Sequence, residues 1–388
     1  MTTHQAAVCL AKGSPFVIQS RPTPKPGPGE LLIQVKSVAL NPADAIMRDQ
    51  GLLVSTYPTV TGFDMAGLVL EVGENVPWDP FDTGRENNDP FFQPGVTRVA
   101  AYAASFWRSS CPDYGAFQEK CLVPWQHVIP ISNADISWNQ AATLPVAAQV
   151  PLSAWDAMGI ERLDETLSSP LASPTPVSSD LGRKREVLLI WGASSSVGTM
   201  GVQSARLLRD NPYSPFAAVY AVASTPNHAY LHSLGADRCF DYKDSGCVDA
   251  LIGTAKKENL VIRRCFLAMG ELAPCQAVLK AFLVDSHGSS QGGVSGVKIA
   301  SAPRVPPDAE KVPGMEIIFV MPAMSEEQRL AEFRYWMGSW ARTNLASGAI
   351  RPSPQPKVIG FGLNAVNAGL DELIQGVSCS KLVIEVGK

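Results

Sequence analysis

Residues Glu186–Leu208 read EVLLIWGASSSVGTMGVQSARLL. A strongly apolar run, VLLIWG, is followed by a small-residue turn and then by the helix-prone segment Thr199–Leu208. A strand that feeds a tight turn and a helix aims backbone N–H groups and the positive helix end at an anion. The glycines stand as Gly192-x5-Gly198-x2-Gly201, looser than the stricter GxGxxG spacing. Between them lie Ser194, Ser195 and Ser196. Serine is small enough for a pyrophosphate to approach the backbone, and its hydroxyl can donate to a phosphate oxygen. Equally, the serines can simply cap the helix. Both roles can coexist.

Working outward, the texture stays alternating. Ala217–Ser224 reads as a second strand, His228–Leu234 as a short helix, and Arg238–Tyr242 as a third strand. Gly296–Ala302 and Met315–Pro322 read as later strands. This alternation predicts a parallel sheet with right-handed crossovers. The end of the second strand discriminates between nicotinamide cofactors, because NAD binders usually place a carboxylate there. This chain has Ser224, Thr225, Pro226, Asn227 and His228 instead. Hydroxyls and a histidine accept a 2′-phosphate, so NADPH is expected. His228 and His232 are spaced for one helix face, but with no third ligand nearby they read as surface residues.

The first 150 residues have a different character. Glu30–Leu40, Ala66–Gly73 and Phe117–Pro124 are short apolar runs bounded by Gly and Pro, the mark of strands. Pro77–Gly95 reads as an extended loop. Asn139–Ile160 is Ala-rich and helix-prone, with interruptions expected at Pro145 and Pro151. Ser168–Glu186 is Ser/Pro-rich and reads as a flexible insert. An amphipathic helix is expected from about Ser325 to Ser347, and KVIGFG and KLVIEVG as two closing β segments.

Bulk properties narrow the function class. At 388 residues the chain exceeds a usual single core, and its hydrophobic content of 46% with 18% charged residues is ordinary for globular domains. A net charge of −4 lacks the basic field that nucleic acid or an anionic membrane needs. No apolar run approaches membrane-span length and no signal peptide is read. The eight cysteines are scattered without a CxxC pair, which fits free thiols in a reducing compartment; the cytoplasm is the expected location.

Together these pieces resemble a known family. The chain carries NPAD at Asn41–Asp44, TGFDMAGLV at Thr61–Val69 and DYGAFQEKCLVP at Asp113–Pro124. It continues with AATLPVAA at Ala141–Ala148, the phosphate turn, LGADRCFDY at Leu234–Tyr242 and the closing SCSKLVIEV. In this order they are similar to a zinc-independent medium-chain dehydrogenase/reductase of the quinone-reductase and enoyl-reductase branch. The Ser/Pro-rich insert and the Ser-x-Pro tract after the second strand resemble those of fungal trans-acting enoyl reductases, which partner highly reducing polyketide synthases. The resemblance implies an α/β architecture of two domains. A GroES-like β-rich catalytic domain would span 1–149 and 323–388, and a Rossmann domain with a doubly wound parallel sheet would span 150–322, with residues 168–186 as the insert. Zinc-dependent relatives carry Cys where this chain has Asn41, and Gly-His-Glu where it has Gly62-Phe63-Asp64. Phe63 cannot ligate a metal and Cys111 stands alone in the structural-zinc region, so no metal is expected.

By the same resemblance, Ser194, Ser195, Ser196 and Val197 would hold the pyrophosphate. Ser224, Thr225, Pro226, Asn227 and Tyr242 would surround the adenosine ribose and 2′-phosphate. Ala43, Asp44, Ala45 and Ile46 would line the nicotinamide end, and Ser301, Ala302, Val377 and Ser378 would meet the cofactor at strand ends. Asn41 and Ser153 are the catalytic candidates. Ser153, Ala154, Trp155, Asp156, Ala157, Met158, Gly159 and Ile160, with Phe319, would line the substrate cleft. Read without the family, Ser153, Tyr242 and Ser301 are ordinary hydrogen-bonding residues at element ends. Four departures stand out. Ser195-Ser196 replaces a Gly-Gly pair. Ile46 replaces a lysine that would supply a proton, leaving Asn41 with a water, Tyr102 or Tyr114 as alternatives. IRRCFLAMG (Ile262–Gly270) replaces an ALD strand motif. About three extra residues lie around Gln149–Pro151. Three functions follow as expectations. The first is NADPH-dependent reduction of a carrier-bound enoyl thioester beside a polyketide synthase. The alternatives are a stand-alone quinone or 2-alkenal reductase, and an NADPH-binding partner protein without turnover. Oligomeric state stays open.

Overall fold

The computed structural model describes residues 2–81, 89–162, 185–283 and 296–387. The insert at 168–184 and part of the 77–95 loop therefore lie outside the described residues. The chain divides into two compact units, Met1–Gln149 with Ala323–Lys388, and Val150–Pro322.

The second unit is built on a six-stranded sheet whose strands all run parallel. Across the sheet the order is Arg238–Phe240, Phe216–Val222, Glu186–Trp191, Val261–Leu267, Val297–Ser301 and Met315–Phe319. In chain order that is 3-2-1-4-5-6, so the direction of winding reverses between Glu186–Trp191 and Val261–Leu267. Ligands of such sheets sit at the carboxyl ends of the strands flanking that reversal. Strands buried on both faces need continuous apolar runs, and Val187–Trp191 is buried at every position. Helices Ser196–Asp210, His228–Leu234, Cys247–Lys257 and Leu272–Lys280 form the crossovers.

The first unit is built around a seven-stranded sheet. Its central strand, Glu30–Ala39, pairs antiparallel with Asp64–Val72, Lys120–Pro124 and Ser380–Glu385. The last of these also pairs in parallel with the edge strand Gln355–Phe361. A separate hairpin joins Thr3–Val8 to Val17–Pro22. Leu31, Ile33, Val38, Met65, Val69, Val99, Leu382 and Ile384 meet in its core.

Two expectations need correction. Pro145 starts a helix, where its missing N–H costs nothing, but that helix runs unbroken through Pro151 to Ala157. The segment expected as one amphipathic helix is α-helical over Glu326–Phe333 and Arg342–Ala346, with a π-helical stretch, Arg334–Ala341, between them. Such stretches are rare and frequently accompany functional sites.

Candidate functional site

The phosphate turn is the first element. Gly192 ends its strand at φ +74°, and a Cβ there would lie 2.4 Å from the Met269 carbonyl oxygen. A Cβ on Gly198 would lie 2.4 Å from the Gly192 carbonyl oxygen, and one on Gly201 would lie 3.0 Å from the Phe266 ring. The three retained glycines thus close the turn, bring the helix start onto it and seat the helix on the sheet. The serines occupy the positions where a side chain fits. Ser195 caps the helix, its Oγ accepting from the Gly198 N–H at 3.1 Å. The Ser196 hydroxyl is buried and has no partner. It lies in a first turn whose N–H groups no intrahelical carbonyl can take. A buried orphan hydroxyl beside free helix N–H groups, in a cradle that excludes Cβ atoms, is a donor set that fits a pyrophosphate.

The end of the second strand holds a residue that local sequence reading missed. No carboxylate lies within Ser224–His228, but the neighbouring strand delivers one. Asp241 Oδ2 accepts from the Thr225 N–H at 2.9 Å and from its hydroxyl at 2.6 Å, while Oδ1 accepts from the Lys243 N–H at 2.9 Å. The Thr225 hydroxyl, with the Lys243 and Thr225 N–H groups, holds this carboxyl down to about 2. The Thr225 hydroxyl is therefore turned toward Asp241. Asn227 donates to Ser224 Oγ at 3.2 Å, Pro226 is exposed, and the exposed Tyr242 carries the Lys243 ammonium 6.0 Å from its ring centre. His228 and His232 bond separately to the carbonyls of Ala223 and Ala236, both at 2.8 Å, and among the described residues no metal-binding cluster forms.

In the first unit, strand pairing gathers a second cluster. Ala39 faces both Asp64 and Val383, and Asp64 faces Tyr102, so neighbouring strands bring their ends together. Asn41 follows the first of these strands. The buried Lys381 ammonium lies 3.0 Å from Asp64 Oδ2 and donates to Asn41 Oδ1 at 2.5 Å. Asn41 Nδ2 donates to Asp64 Oδ2 at 3.0 Å, and Asp64 Oδ1 accepts from the Val146 N–H at 2.8 Å. Asp44 accepts from the Asn41 N–H at 2.8 Å, which fixes the start of the helix Pro42–Gln50. Its other oxygen is buried and unpartnered, and burial pushes its carboxyl up to about 7, with the Asp64 charge adding to the rise. Ala45 is buried beside it, whereas Ala43 and Ile46 sit on the half-exposed side of the same helix. Asn41 is thus held on both amide atoms, a positioning that no local motif signals.

The remaining candidates are spread over both units. Ser153 Oγ lies 3.5 Å from the Met321 carbonyl, a weak engagement that leaves its hydroxyl the least committed of the group. Trp155 is taken into the interior, with its indole N–H donated to Ser204 Oγ at 3.0 Å and its ring edge-on to Phe266 at 5.6 Å. Ala154 and Met158 are buried too, and Asp156 is clamped by Arg162 at 2.6 and 2.9 Å. Ala157 ends this helix, and Gly159 and Ile160 follow it on its more open side. The Trp155 indole thus packs against the sheet of its own unit. Phe319 is 41% exposed at the end of the edge strand. Ser301 donates its hydroxyl to the Pro303 carbonyl at 2.7 Å, and the Ala302 N–H bonds to Leu267. Val377 and Ser378 precede the strand that carries Lys381.

Of the alternative proton sources, Tyr114 donates its hydroxyl to Glu30 at 2.7 Å. Among the described residues, no carboxylate accepts from the Tyr102 hydroxyl. Burial, then the charge of Asp64, raises its phenol well above the usual range, so it stays protonated.

The alcohol dehydrogenase GroES-like domain model matches residues 27–133. The chain is 36% identical over 383 residues to the trans-enoyl reductase tndF of Aspergillus flavipes, covering 98% of each. It is 36% identical to the trans-enoyl reductase tazE of Aspergillus terreus, covering 84% of this chain and 94% of that one. Among solved structures, an alcohol dehydrogenase superfamily protein from Novosphingobium aromaticivorans superposes with TM-score 0.71 at 19% identity over 99% and 100% of the two chains. The CurK enoyl reductase does so with TM-score 0.69 at 16% identity over 99% of each. The chain belongs to the medium-chain dehydrogenase/reductase family, in the branch that holds the fungal trans-enoyl reductases.

Proposed function

We propose that this protein is an NADPH-dependent, zinc-independent trans-acting enoyl reductase, which reduces the α,β-double bond of a carrier-bound polyketide intermediate beside its synthase. The observation that carries this reading is the near-full-length likeness to trans-enoyl reductases, together with a phosphate turn whose orphan donors fit a pyrophosphate. When bound, the reduced nicotinamide supplies a hydride for the β-carbon of the enoyl group. The chain's own residues do the rest. Ser195 and Ser196, with the first helix N–H groups, bind the pyrophosphate. The Thr225–Asn227 segment and Tyr242 flank the adenosine end. Lys381 and Asp64 fix Asn41, which shapes the nicotinamide end together with the helix Pro42–Gln50.

Tyr102 holds the proton that the α-carbon needs. Burial keeps its hydroxyl protonated, and among the described residues no carboxylate accepts from it. Ser153 orients the acceptor through its lightly engaged hydroxyl. In place of a metal ligand, Phe63 packs its ring 5.5 Å from Tyr102. The test is direct. Purified protein, NADPH and an enoyl pantetheine or carrier-bound enoyl thioester should give the saturated thioester, seen as a mass gain of two hydrogens. No turnover on any such acceptor with the synthase present would sink the proposal. Turnover on simple quinones or alkenals alone would select the stand-alone reductase instead.

A further inference from the structure

The first unit buries an unusual set of polar atoms around Tyr102. His127 is 1% exposed, and its Nδ1 lies 3.3 Å from the Tyr102 carbonyl oxygen, which can only accept. Nδ1 therefore carries the ring hydrogen, and Nε2 is a lone-pair acceptor. That atom is buried and has no partner among the described residues. Two donors close to the same tyrosine are orphaned too. The Trp107 indole N–H is buried beside the Tyr102 side chain without a hydrogen bond of good geometry. The Arg329 Nε–H is buried and unpartnered, although its NH1 bonds to the carbonyls of Ala323 and Met324 at 3.1 and 3.0 Å.

Ring contacts tie the three residues together. The Arg329 guanidinium lies 4.2 Å from the Trp107 ring centre. The His127 ring lies 5.8 Å from that of Tyr102 and stacks on Phe333 at 3.9 Å. Phe333 is the last residue before the π-helical stretch. Buried orphan polar groups are few in native proteins, and each costs free energy unless something satisfies it. Here one acceptor and two donors, on three separate segments, lie near one tyrosine. A hydroxyl both donates and accepts, so one hydroxyl group matches the set. A hydrocarbon satisfies none of it, and a carboxylate has nothing to offer the imidazole acceptor.

We propose that Trp107, His127 and Arg329 form a subsite for a hydroxyl group on the acyl chain of the substrate, so that the protein selects hydroxylated over purely hydrocarbon chains. This deepens the enoyl-reductase reading and rests on it. The probes are medium-chain enoyl pantetheines bearing one hydroxyl at successive positions, with the unsubstituted chain as reference. Their saturated counterparts serve as ligands for titration by calorimetry, so that binding is read independently of turnover. At one hydroxyl position the wild-type protein should bind and reduce the hydroxylated chain about tenfold better than the reference, the scale of one net hydrogen bond. Trp107→Phe removes the N–H together with the pyrrole part of the ring and should bring that ratio down toward one. Arg329→Lys, which loses the Nε–H, should do the same, while the exposed control Trp78→Phe should keep the wild-type ratio. Equal binding of every isomer and the reference overturns the subsite, since buried water then satisfies the three atoms. A ratio that survives both Trp107→Phe and Arg329→Lys overturns it as well. Selective binding without any reduction leaves the subsite standing and defeats the enoyl-reductase reading instead.

Discussion

Replacing Lys381 with methionine should damage the first unit far more than its small loss of volume suggests. The ammonium is 4% exposed and its partner Asp64 is fully buried, 3.0 Å away. Methionine keeps most of the stem but leaves Asp64 with only the Asn41 amide and the Val146 N–H. It also removes a cation that acts on Asp44, whose rise is already fed by Asp64. Breaking a buried ion pair from one side typically costs about 3–5 kcal/mol, because a desolvated charge is left behind. Removing both charges by Asp64→Asn with Lys381→Met should cost less than the sum of the single changes, with a coupling of about 2 kcal/mol. Urea unfolding followed by tryptophan fluorescence reports chiefly on this unit, because six of the eight tryptophans lie in it. A loss below about 1 kcal/mol for Lys381→Met, or additivity in the double variant, would refute the claim that the pair holds the cluster together.

Four further outcomes follow. Ser195→Asp keeps a good helix cap and so should leave stability near wild type, yet weaken NADPH binding at least tenfold by repulsion; unchanged affinity removes the serine turn from phosphate binding. Asp44 binds its proton more tightly folded, at about 7 against an ordinary 3.8, so stability should fall as pH rises between those values, by on the order of 4 kcal/mol. Asp44→Asn should flatten that slope in pH-dependent melts, and an unaltered slope points to other groups. Asp241→Asn removes a negative charge next to Thr225 and should shift the Kd ratio toward NADPH over NADH by about two- to fivefold at low salt; a shift toward NADH shows that the carboxylate helps seat the phosphate. Tyr102→Phe should lower kcat for enoyl reduction by about 10² or more while leaving the NADPH Kd unchanged, and an unaffected kcat clears Tyr102 of the proton step.

The parallel sheet was legible because buried strands must be apolar and crossovers must be long. Val187–Trp191 and the helix after it follow from their own composition. The site was legible only where one segment carries it, as in the turn Gly192–Gly201. Residues that meet through pairing left no local trace. Lys381 is 340 residues from Asn41, and only the antiparallel register of Ala39 with Val383 unites them. Asp241 reaches Thr225 because their strands are neighbours in the sheet. The helix Pro42–Gln50 leaves little trace in the sequence because it is short and its N-terminal cap coincides with the family signature NPAD. Propensity alone would break a helix at Pro151, yet none breaks there. The helix around it is held by burial of Ala147, Ala148 and Ala154, and packing of this kind overrides propensity.

The strand Ser380–Glu385 stands inside the sheet of the first unit, between Glu30–Ala39 and Gln355–Phe361. Its consequence appears during synthesis. Domains generally form as units while the chain emerges, yet here residues 1–149 lack an interior strand, and the Lys381 counterion to Asp64, until residues 380–385 are made. The nucleotide-type unit, Val150–Pro322, has all of its strands beforehand. The middle unit is therefore ready before the first one, and a chain cut short of residue 380 would lose the strand that pairs with Glu30–Ala39.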